Sequence, residues 1–499
     1  MSSSARDAQR SMAHFSPRTD PPAKRPAPSS ATPAPRGKRI KDLPRGGDEE
    51  GEGDREHSPT PRSERSALRW MPEIGEGKTL QHAVYKEPKP SEKVAAFNLD
   101  HTIIRPLGDA RYSDSADDWR WWSANEPKAA EEEEKEKKVT KRLRKLHADG
   151  YAIVFFTAQA HDSQDLWSEY RKRLRNVAEE LDIPLRIFVA MTFDIYRKPA
   201  HGAWLEFVKR WNGGKEVDLS KSFYVGDAAG KGGSKQDYDR KFAHNVGVEF
   251  FTPEEFFLGK EKSKNWAFKG WISREYDQEV PLYSPTNTPL VPRPISEFEP
   301  AAPDIVVLVG PPGCGKTSFA LKYLTPRGYK RIVSTPSRAP QRANAYIPYS
   351  RAQSSDPSAA VKKASPSANL VLDVPLPSPS SRKFLLQPLR TLPSSKPRTL
   401  RCFHFLASEK LAKHNNVFSV LFEEERERGK REQGMARAFT GEKEYREWYA
   451  EWGEPTKEEG WDEIKRINFK FDLDGADGEA RLKRWHKFLD CYPAGVGHK

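Results

Sequence analysis

The chain has 499 residues, 31% of them charged, with a formal net charge of +13 and a mean hydropathy of -0.82. This length predicts two or three domains, and the polarity is too high for an entirely compact protein, so sizeable disordered parts are expected. No stretch approaches the roughly 20 consecutive apolar residues of a helical membrane span, and three cysteines are too few for a disulfide framework, which indicates a reducing compartment.

The N-terminal residues 1–75 are rich in Ser, Pro, Arg, Gly and Glu and poor in aliphatic residues. They therefore predict a disordered tail, because they cannot offset the entropy lost on folding. Basic clusters at 24–25 and 36–41 suit a two-part nuclear import signal, and a solvated basic tail explains them equally well. The positive charge of the chain favours a polyanionic partner, since clustered Lys and Arg displace counterions from nucleic-acid phosphates.

Order is expected to begin near Val94, where apolar runs start to alternate with amphipathic stretches. The stretch 137–148 predicts a helix, because its apolar residues recur at helical spacing. This alternation predicts an α/β fold with a Rossmann-like parallel sheet, whose ligands bind beyond the carboxyl ends of the strands. The runs that predict its buried strands are VAAF (94–97), YAIVFF (151–156), LRIFVA (185–190) and SFYV (222–225).

Polar residues follow each of these runs: Asn98 and Asp100 the first, Thr157 the second, Lys198 the third and Asp227 the fourth. A phosphatase of the haloacid-dehalogenase type needs an Asp nucleophile and a second Asp two residues later as acid/base. It also needs a hydroxyl and a Lys on the phosphoryl oxygens and a late Asp for Mg²⁺. All of these groups are present except the nucleophile, whose position holds Asn98.

A second motif, GPPGCGKT at residues 310–317, satisfies G-x-x-x-x-G-K-[ST]. It follows the apolar run 305–309 and precedes the helix-compatible SFALKYL, which is the context that a phosphate-binding loop requires. Its backbone N–H groups can converge on phosphate oxygens, its Lys can bridge the β- and γ-phosphates, and its Thr can ligate Mg²⁺. The candidate ATP-binding residues are Gly310, Gly313, Cys314, Gly315, Lys316 and Thr317.

Longer segments carry a family resemblance: SADDWRWW (115–122), FYVGDAAGK (223–231) and DRKFAHNVGVEFFTPEEFF (239–257). Together with the phosphate-binding loop they resemble the polynucleotide kinase 3′-phosphatase family over roughly residues 90–330, with weaker similarity to the end. Members of this family remove a 3′-phosphate with the first domain and phosphorylate a 5′-hydroxyl with the second. The resemblance implies DNA ends and ATP as ligands and other strand-break repair proteins as partners. No membrane association is expected, because the sequence lacks an apolar span.

Carried over residue by residue, the resemblance makes Asp100 the acid/base, Thr157 and Lys198 the phosphate clamps, and Asp100 and Asp227 the Mg²⁺ ligands of the phosphatase. Asn98 departs from the family pattern. Its carboxamide oxygen can still contact a metal ion, but a neutral side chain is a poor nucleophile and removes a negative charge from the cation's shell. We therefore expect a severely impaired phosphatase that keeps its fold and some phosphate or DNA affinity. His101, in place of the family's Gly, is interpreted as a local substitution.

The kinase half departs from the pattern in the segment 331–400, which is rich in Ser, Pro, Arg and Ala where a compact core is expected. Within it, Asp373 is the plausible counterpart of a metal-binding aspartate. A mispredicted exon and a genuine loss of kinase function would each explain this segment.

The segment 402–418 resembles the family's strand and lid helix, with His414, Asn415 and Asn416 in place. Lys413 and Val417 stand where arginines are expected, a change that weakens stabilisation of charge on the transferred phosphoryl group.

Three tryptophans, Trp119, Trp121 and Trp122, and the basic helix 137–145 have two interpretations. They contact unpaired DNA near the phosphatase-type cleft, or the tryptophans are packing residues and the helix face is merely solvated.

The predicted organisation is a disordered tail (1–75), a haloacid-dehalogenase-type domain (76–275), a linker (276–302) and a P-loop kinase-type domain (303–499). The predicted function is DNA-end processing in nuclear repair, with Mg²⁺ and ATP as cofactors. The alternative is a catalytically inactive member of the family that binds ATP or DNA ends. A generic P-loop metabolite kinase is disfavoured by FYVGDAAGK upstream of the loop.

Overall fold

The computed structural model describes residues 68–75, 77–122, 132–159, 163–232, 236–269, 273, 276, 279–291, 303–333, 367–391, 398–422 and 440–489. Residues 1–67, which belong to the predicted disordered tail, lie outside these ranges, and so does much of the segment 331–400. Within them, no helix combines the length and apolar character needed to cross a membrane.

The first half of the chain contains nine strands and five helices among the described residues. The strands are β1 (Arg69–Trp70), β2 (Leu80–Tyr85), β3 (Val94–Phe97), β4 (Ile104–Arg105), β5 (Arg120–Trp121), β6 (Ala152–Ala158), β7 (Leu185–Ala190), β8 (Phe223–Val225) and β9 (Glu249–Phe251). The helices are α1 (Glu132–Ala148), α2 (Gln164–Leu181), α3 (Gly202–Glu206), continued by a π-helical turn (Phe207–Trp211), α4 (Tyr238–Val246) and α5 (Pro253–Leu258).

Seven of these strands form one sheet in the order β1-β2-β7-β6-β3-β8-β9, and β4 pairs with β5 in a separate ribbon. The pairs from β7 to β9 are parallel, whereas β1 and β2 are antiparallel additions at one edge. The central strand β3 is 0% exposed along its whole length, with alternate residues in apolar clusters on opposite faces of the sheet. A strand whose two faces are both buried has a continuous run of apolar residues. The run VAAF therefore predicts β3 from the sequence.

The second half contains six strands and five helices among the described residues. The strands are β10 (Tyr283–Ser284), β11 (Asp304–Val309), β12 (Lys330–Val333), β13 (Leu370–Asp373), β14 (Thr399–Leu406) and β15 (Glu463–Asn468). The helices are α6 (Lys316–Phe319), continued by a π-helical turn (Ala320–Leu324), α7 (Pro379–Arg390), α8 (Glu409–Phe422), α9 (Glu442–Ala450) and α10 (Gly478–Lys487). The sheet order is β10-β15-β14-β11-β13-β12, parallel throughout except for β10.

The predicted fold class is confirmed: an α/β sheet with a parallel core precedes a second α/β sheet, in which strand β11 leads into the phosphate-binding loop. The four predicted strands of the first sheet and the helix over 137–148 are present. The expectation that order begins near Val94 is wrong, because β1 and β2 precede it and β1 lies inside the range assigned to the tail. The strand β2, LQHAVY, was missed because it has no apolar run.

The described part of the atypical segment 331–400 is structured rather than loop-like. Strand β13 lies between β11 and β12, and Leu385, Leu386 and Leu389 of α7 are buried against the sheet. This part of the segment therefore belongs to the kinase-like core.

A buried apolar cluster, here called the junction cluster, joins the two halves. Asn245 of α4 adds polar links, since its amide donates to the carbonyl oxygens of Pro199 (2.9 Å) and Leu489 (2.8 Å). The loop that carries Lys198 is thus packed against α8 and the C-terminal residues. The buried members of the junction cluster are Ala200, Leu411, Val417, Phe418, Leu421, Trp485 and Phe488.

Buried neutral histidines should make the fold sensitive to acid. His82 is 0% exposed, stacks on Phe188 with ring centroids 4.4 Å apart, and lies near Arg186. Burial, and to a lesser extent this guanidinium, lowers the pKa of His82 from 6.5 to about 3. A lowered pKa means that the folded state binds fewer protons than the unfolded state. The free energy of unfolding is therefore unaffected by protonation of His82 above about pH 6.5. It decreases as the pH falls from 6.5 toward 3, because only the unfolded state binds the proton in this range.

We expect His82 to account for about 2 kcal/mol of the loss in unfolding free energy between pH 7 and pH 5. Urea unfolding of the His82→Phe variant at both pH values, compared with the unsubstituted protein, measures this contribution. An identical pH dependence in the two proteins would contradict it.

Candidate functional site

Three of the predicted residues of the first site are in direct contact. Asn98 follows β3 and Asp227 follows the adjacent parallel strand β8, while Lys198 lies between β7 and α3. The Asn98 Oδ1 atom accepts a hydrogen bond from Lys198 Nζ at 2.8 Å, and its Nδ2 donates to Asp227 Oδ1 at 2.8 Å. The carboxyl ends of neighbouring strands thus bring together residues up to 129 positions apart.

Lys198 is neutralised by a buried carboxylate, Asp239, which the sequence did not predict. Asp239 of α4 accepts a hydrogen bond from Lys198 Nζ at 2.7 Å, and Lys198 also donates to the Tyr224 hydroxyl at 2.8 Å. The Lys198 and Asp239 side chains are 4% and 0% exposed. Asp239 opens the segment DRKFAHNVGVEFF, but no spacing rule links a helix residue to a lysine 41 positions earlier, so only the tertiary structure shows this pair.

Removing Lys198 should cost stability as well as any phosphate contact. In a Lys198→Met variant Asp239 would be left buried without its counter-charge, which typically costs about 3–5 kcal/mol. Chemical denaturation should show a loss of this size, whereas the same change at the exposed Lys209 should have little effect. Equal stability of the two variants would contradict the role assigned to this pair.

The predicted acid/base and hydroxyl lie at the same edge of the sheet. Asp100 Oδ2 accepts a hydrogen bond from Gln159 at 2.8 Å, and desolvation raises the pKa of this carboxyl. Thr157, at the end of β6 next to β3, is buried and its hydroxyl lies 3.3 Å from the Tyr170 hydroxyl. A raised pKa suits a proton donor, because the carboxyl then keeps its proton to higher pH.

His101 occupies a conformation that explains the glycine expected at its position. Its φ of 59° lies in the left-handed region, which costs a β-carbon-bearing residue energy that glycine avoids. Its Nε2 atom is hydrogen-bonded to the Arg111 carbonyl oxygen at 2.8 Å rather than to a site residue. The interpretation of His101 as a local substitution agrees with this placement.

The first site does not fit Mg²⁺ as it stands. Magnesium prefers carboxylate and carbonyl oxygens, yet Asp227 Oδ1 faces the amide nitrogen of Asn98. The carboxamide oxygen, which was expected to remain available to a metal, faces Lys198 instead. Burial and the neighbouring Asp239 raise the pKa of Asp227 to about 6. Across the described residues, no group of three or more His, Cys, Asp or Glu side chains could hold a metal ion.

Two of the three tryptophans are packing residues. Trp121 and Trp122 are 3% and 8% exposed and belong to the core of the first sheet, and Trp121 Nε1 donates to Glu180 at 2.5 Å. Trp119 is partly buried and packs edge-on against Trp121. Trp121 and Trp122 therefore present little surface on which an unpaired base could stack.

The second site consists of the loop between β11 and α6 and the first turn of α6, which together contain all the predicted ATP-binding residues. Gly313 has a φ of 78°, and a β-carbon there would lie 2.2 Å from the Ala412 carbonyl oxygen. The Tyr445 hydroxyl also donates to the Pro312 and Ala412 carbonyl oxygens (3.1 and 3.2 Å). The loop is thus packed directly against helices α8 and α9, a contact that the sequence did not predict.

The side chains of Lys316 and Thr317 make hydrogen bonds to other groups of the protein. Lys316 Nζ donates to the carbonyl oxygens of Gly310 (2.7 Å) and Pro311 (2.8 Å), and Cys314 is buried beneath it. The Thr317 hydroxyl donates to Asp373 Oδ2 at 2.6 Å. Thr317 and Asp373 thus bring a hydroxyl and a carboxylate oxygen together beside a phosphate-binding loop, and both are oxygen donors of the kind that Mg²⁺ prefers.

Arg331, at the start of the atypical segment, also contacts this carboxylate. Its Nη2 and Nε atoms donate to Asp373 Oδ2 at 2.6 and 3.0 Å. A guanidinium thus neutralises Asp373 in the structure and would have to leave this oxygen before a cation could bind there. No local pattern in the sequence predicts this contact.

The residues of helix α8 that were expected from the family resemblance make hydrogen bonds that hold the helix in position. His414 Nε2 lies 3.0 Å from the Trp485 carbonyl oxygen, and Asn415 Oδ1 accepts from Trp485 Nε1 at 2.8 Å. Asn416 Oδ1 accepts from the Thr440 amide at 3.0 Å. Lys413, which stands where an arginine was expected, pairs with Glu409 (2.6 Å) and Glu442 (2.7 Å).

Comparisons with known proteins agree with this pairing of sites. The family model described as polynucleotide kinase 3 phosphatase matches residues 93–257. A bifunctional polynucleotide phosphatase/kinase of Schizosaccharomyces pombe is 29% identical over 399 residues, covering 79% of this chain and 83% of that protein. A match of that length includes residues of both sheets.

Two further relatives match shorter parts. A putative bifunctional polynucleotide phosphatase/kinase of Acanthamoeba polyphaga mimivirus is 30% identical, covering 51% of this chain and 62% of that protein. The polynucleotide 3′-phosphatase ZDP of Arabidopsis thaliana is 34% identical, covering 35% of this chain and 25% of that protein.

Proposed function

Because this chain belongs to the polynucleotide kinase 3 phosphatase family, we propose that it processes polynucleotide ends with a working kinase half and an impaired phosphatase half. The observation that carries the proposal is the loop 310–317 on strand β11, with the Thr317 hydroxyl 2.6 Å from Asp373. The substrate is the 5′-hydroxyl of a DNA end, and the phosphate donor is ATP.

In the kinase half, the loop amides and Lys316 bind the phosphates of ATP, and Thr317 and Asp373 would hold Mg²⁺ once Arg331 releases the Asp373 carboxylate. When bound, this ion neutralises charge on the transferred phosphoryl group. Lys316 leaves the loop carbonyl oxygens that it now contacts and turns to the phosphates.

In the phosphatase half, the groups that would handle a 3′-phosphate remain but the attacking group does not. Asp100 suits a proton donor, since desolvation raises its pKa, and Lys198 and Thr157 lie at the same edge of the sheet. Asn98 replaces a carboxylate by a carboxamide, whose oxygen is a weak nucleophile and already accepts a hydrogen bond from Lys198. The half thus keeps a phosphate-binding edge with little turnover.

The partners and location of the protein form part of the same proposal. The net charge of +13 supports binding to DNA ends, and the basic clusters at 24–25 and 36–41 support a nuclear location. In that setting the protein would act with other strand-break repair proteins.

A second candidate function is binding of ATP or DNA ends without turnover. Arg331 occupies the carboxylate of Asp373, and Lys413 is paired with two glutamates rather than directed to a phosphate. Both contacts favour a kinase half that binds its ligands but transfers no phosphate.

End-labelled oligonucleotides separate these functions. One oligonucleotide carries a 5′-hydroxyl and another a 3′-phosphate, and each is incubated with the full chain, ATP and Mg²⁺. Phosphorylation of the 5′-hydroxyl with slow or absent 3′-phosphate release is expected. Retention of ATP without phosphorylation would support the binding protein, and failure to bind ATP or either oligonucleotide would overturn both functions.

A further inference from the structure

The orientation of the Asn98 side chain is fixed by its three neighbours. Its Nδ2 donates to the Asp100 backbone carbonyl oxygen at 2.9 Å and to Asp227 Oδ1 at 2.8 Å. Its Oδ1 accepts from Lys198 Nζ at 2.8 Å. A carbonyl oxygen can only accept and an ammonium can only donate, so the flipped amide would place like groups against each other at both ends.

An aspartate at this position would have the same shape but one different atom. The nitrogen between Asp100 and Asp227 would become an oxygen, so that three oxygens would converge with no hydrogen among them. Two oxygens on adjacent corners of a Mg²⁺ octahedron lie about 2.9 Å apart, given Mg–O distances of about 2.0–2.1 Å. The 2.8 and 2.9 Å contacts of the amide nitrogen therefore match the spacing that a cation would impose on oxygens.

The ammonium group of Lys198 is paired with groups other than Asp227. Lys198 is paired with Asp239 at 2.7 Å and is bonded to the oxygen side of the amide, not to Asp227. The Thr102 hydroxyl is a further donor to Asp227 Oδ1, at 3.3 Å. Asp227 Oδ1, the oxygen that a metal ion would need as a ligand, is thus occupied by hydrogen-bond donors.

We propose that the amide of Asn98 takes the place of a divalent cation, so that the first site is assembled without metal and a single Asn98→Asp exchange creates a cation site. The chemical class of ligand for the created site is a hard divalent cation, held by the new carboxylate, Asp227 and the Asp100 carbonyl oxygen. The inference goes beyond the proposed function, because it concerns what the site binds and not whether either half turns over.

Mn²⁺ binding in the absence of nucleotide tests the proposal, since Mn²⁺ prefers the same oxygen ligands as Mg²⁺ and free Mn²⁺ is counted directly by electron paramagnetic resonance. We expect the Asn98→Asp protein to bind one equivalent more than the unsubstituted chain. Adding Asp227→Asn to Asn98→Asp should remove that equivalent. Sites elsewhere in the chain, including the loop 310–317, contribute equally to every protein and cancel in the difference.

A second comparison does not depend on folding of the Asn98→Asp protein. The unsubstituted chain and its Asp227→Asn variant should bind the same amount of Mn²⁺, because the natural site holds none. One equivalent lost on Asp227→Asn would overturn the proposal, and so would a folded Asn98→Asp protein without an added equivalent. Neither count depends on polynucleotide turnover, so failure here is distinguishable from failure of the proposed function.

Discussion

The Asn98→Asp variant should release 3′-phosphate from an oligonucleotide far faster than the natural chain. The exchange supplies a carboxylate at the position from which a nucleophile would attack, two residues before Asp100, the proposed proton donor, whose carboxyl has a raised pKa because it is desolvated. Deleting the nucleophile of a protease lowers kcat by a factor on the order of 10⁶. Restoring a carboxylate at position 98 should recover part of such a loss, so we expect the rate of phosphate release to rise roughly a thousandfold. The measurement is single-turnover release of phosphate in the presence of Mg²⁺.

Two controls identify the source of this gain. Asn98→Ala removes the amide without adding a carboxylate and should show no gain. Combining Asn98→Asp with Asp100→Asn should abolish most of it, since the leaving oxygen would lack a proton donor. If Asn98→Asp alone leaves phosphate release at its natural level, the assignment of position 98 to the missing nucleophile fails.

Replacing Lys316 by Ala should reduce phosphorylation of a 5′-hydroxyl by roughly 10²–10³-fold. The ammonium is the positive charge that the loop offers to the phosphates, and loss of one preorganised contact to developing charge has an effect of this size. Because the same contact is made to bound ATP, nucleotide affinity should fall as well. Transfer of labelled γ-phosphate and equilibrium ATP binding measure the two effects.

Lys322 offers a matched control on the helix that continues from this loop. Its ammonium is bound to Asp472 (2.8 Å) and Asp474 (2.9 Å), away from the loop carbonyl oxygens. Lys322→Ala removes the same number of atoms and the same charge but should leave both measurements nearly unchanged, because partly exposed ion pairs contribute little. Equal losses in the two variants would show that the Lys316 effect is not specific to phosphate contact.

The sequence predicted those parts of the fold and sites whose signals are local. Apolar runs marked the buried parallel strands, and the ends of those strands marked Asn98, Asp227 and the loop ahead of Lys316. The geometry of parallel sheets then required the strand-end residues to meet, whatever their separation along the chain.

The contacts that the sequence did not predict all join distant elements. Asp239 reaches Lys198 from a helix, Arg331 reaches Asp373 from a neighbouring strand, and Tyr445 reaches the phosphate-binding loop across 133 positions. Each of these residues is ordinary in its local sequence. Only packing decides that an aspartate in a charged, amphipathic helix becomes a buried counter-ion rather than a solvated one.

The orientation of Asn98 illustrates the same limit within a single residue. The substitution is visible in the sequence, and its chemical meaning for a nucleophile follows from the residue type. Which of its two polar atoms faces Asp227 depends on Lys198 and the Asp100 carbonyl oxygen, and these positions exist only in the folded chain.

The junction cluster makes the first half of the chain part of the surroundings of helix α8. Ala200, two residues after Lys198, is fully buried and belongs to the same apolar cluster as Phe418 of helix α8, so the first half covers part of that helix. Deleting the first half would expose apolar surface of helix α8 to water. The first sheet therefore has a packing role in the second half that is independent of its own chemistry.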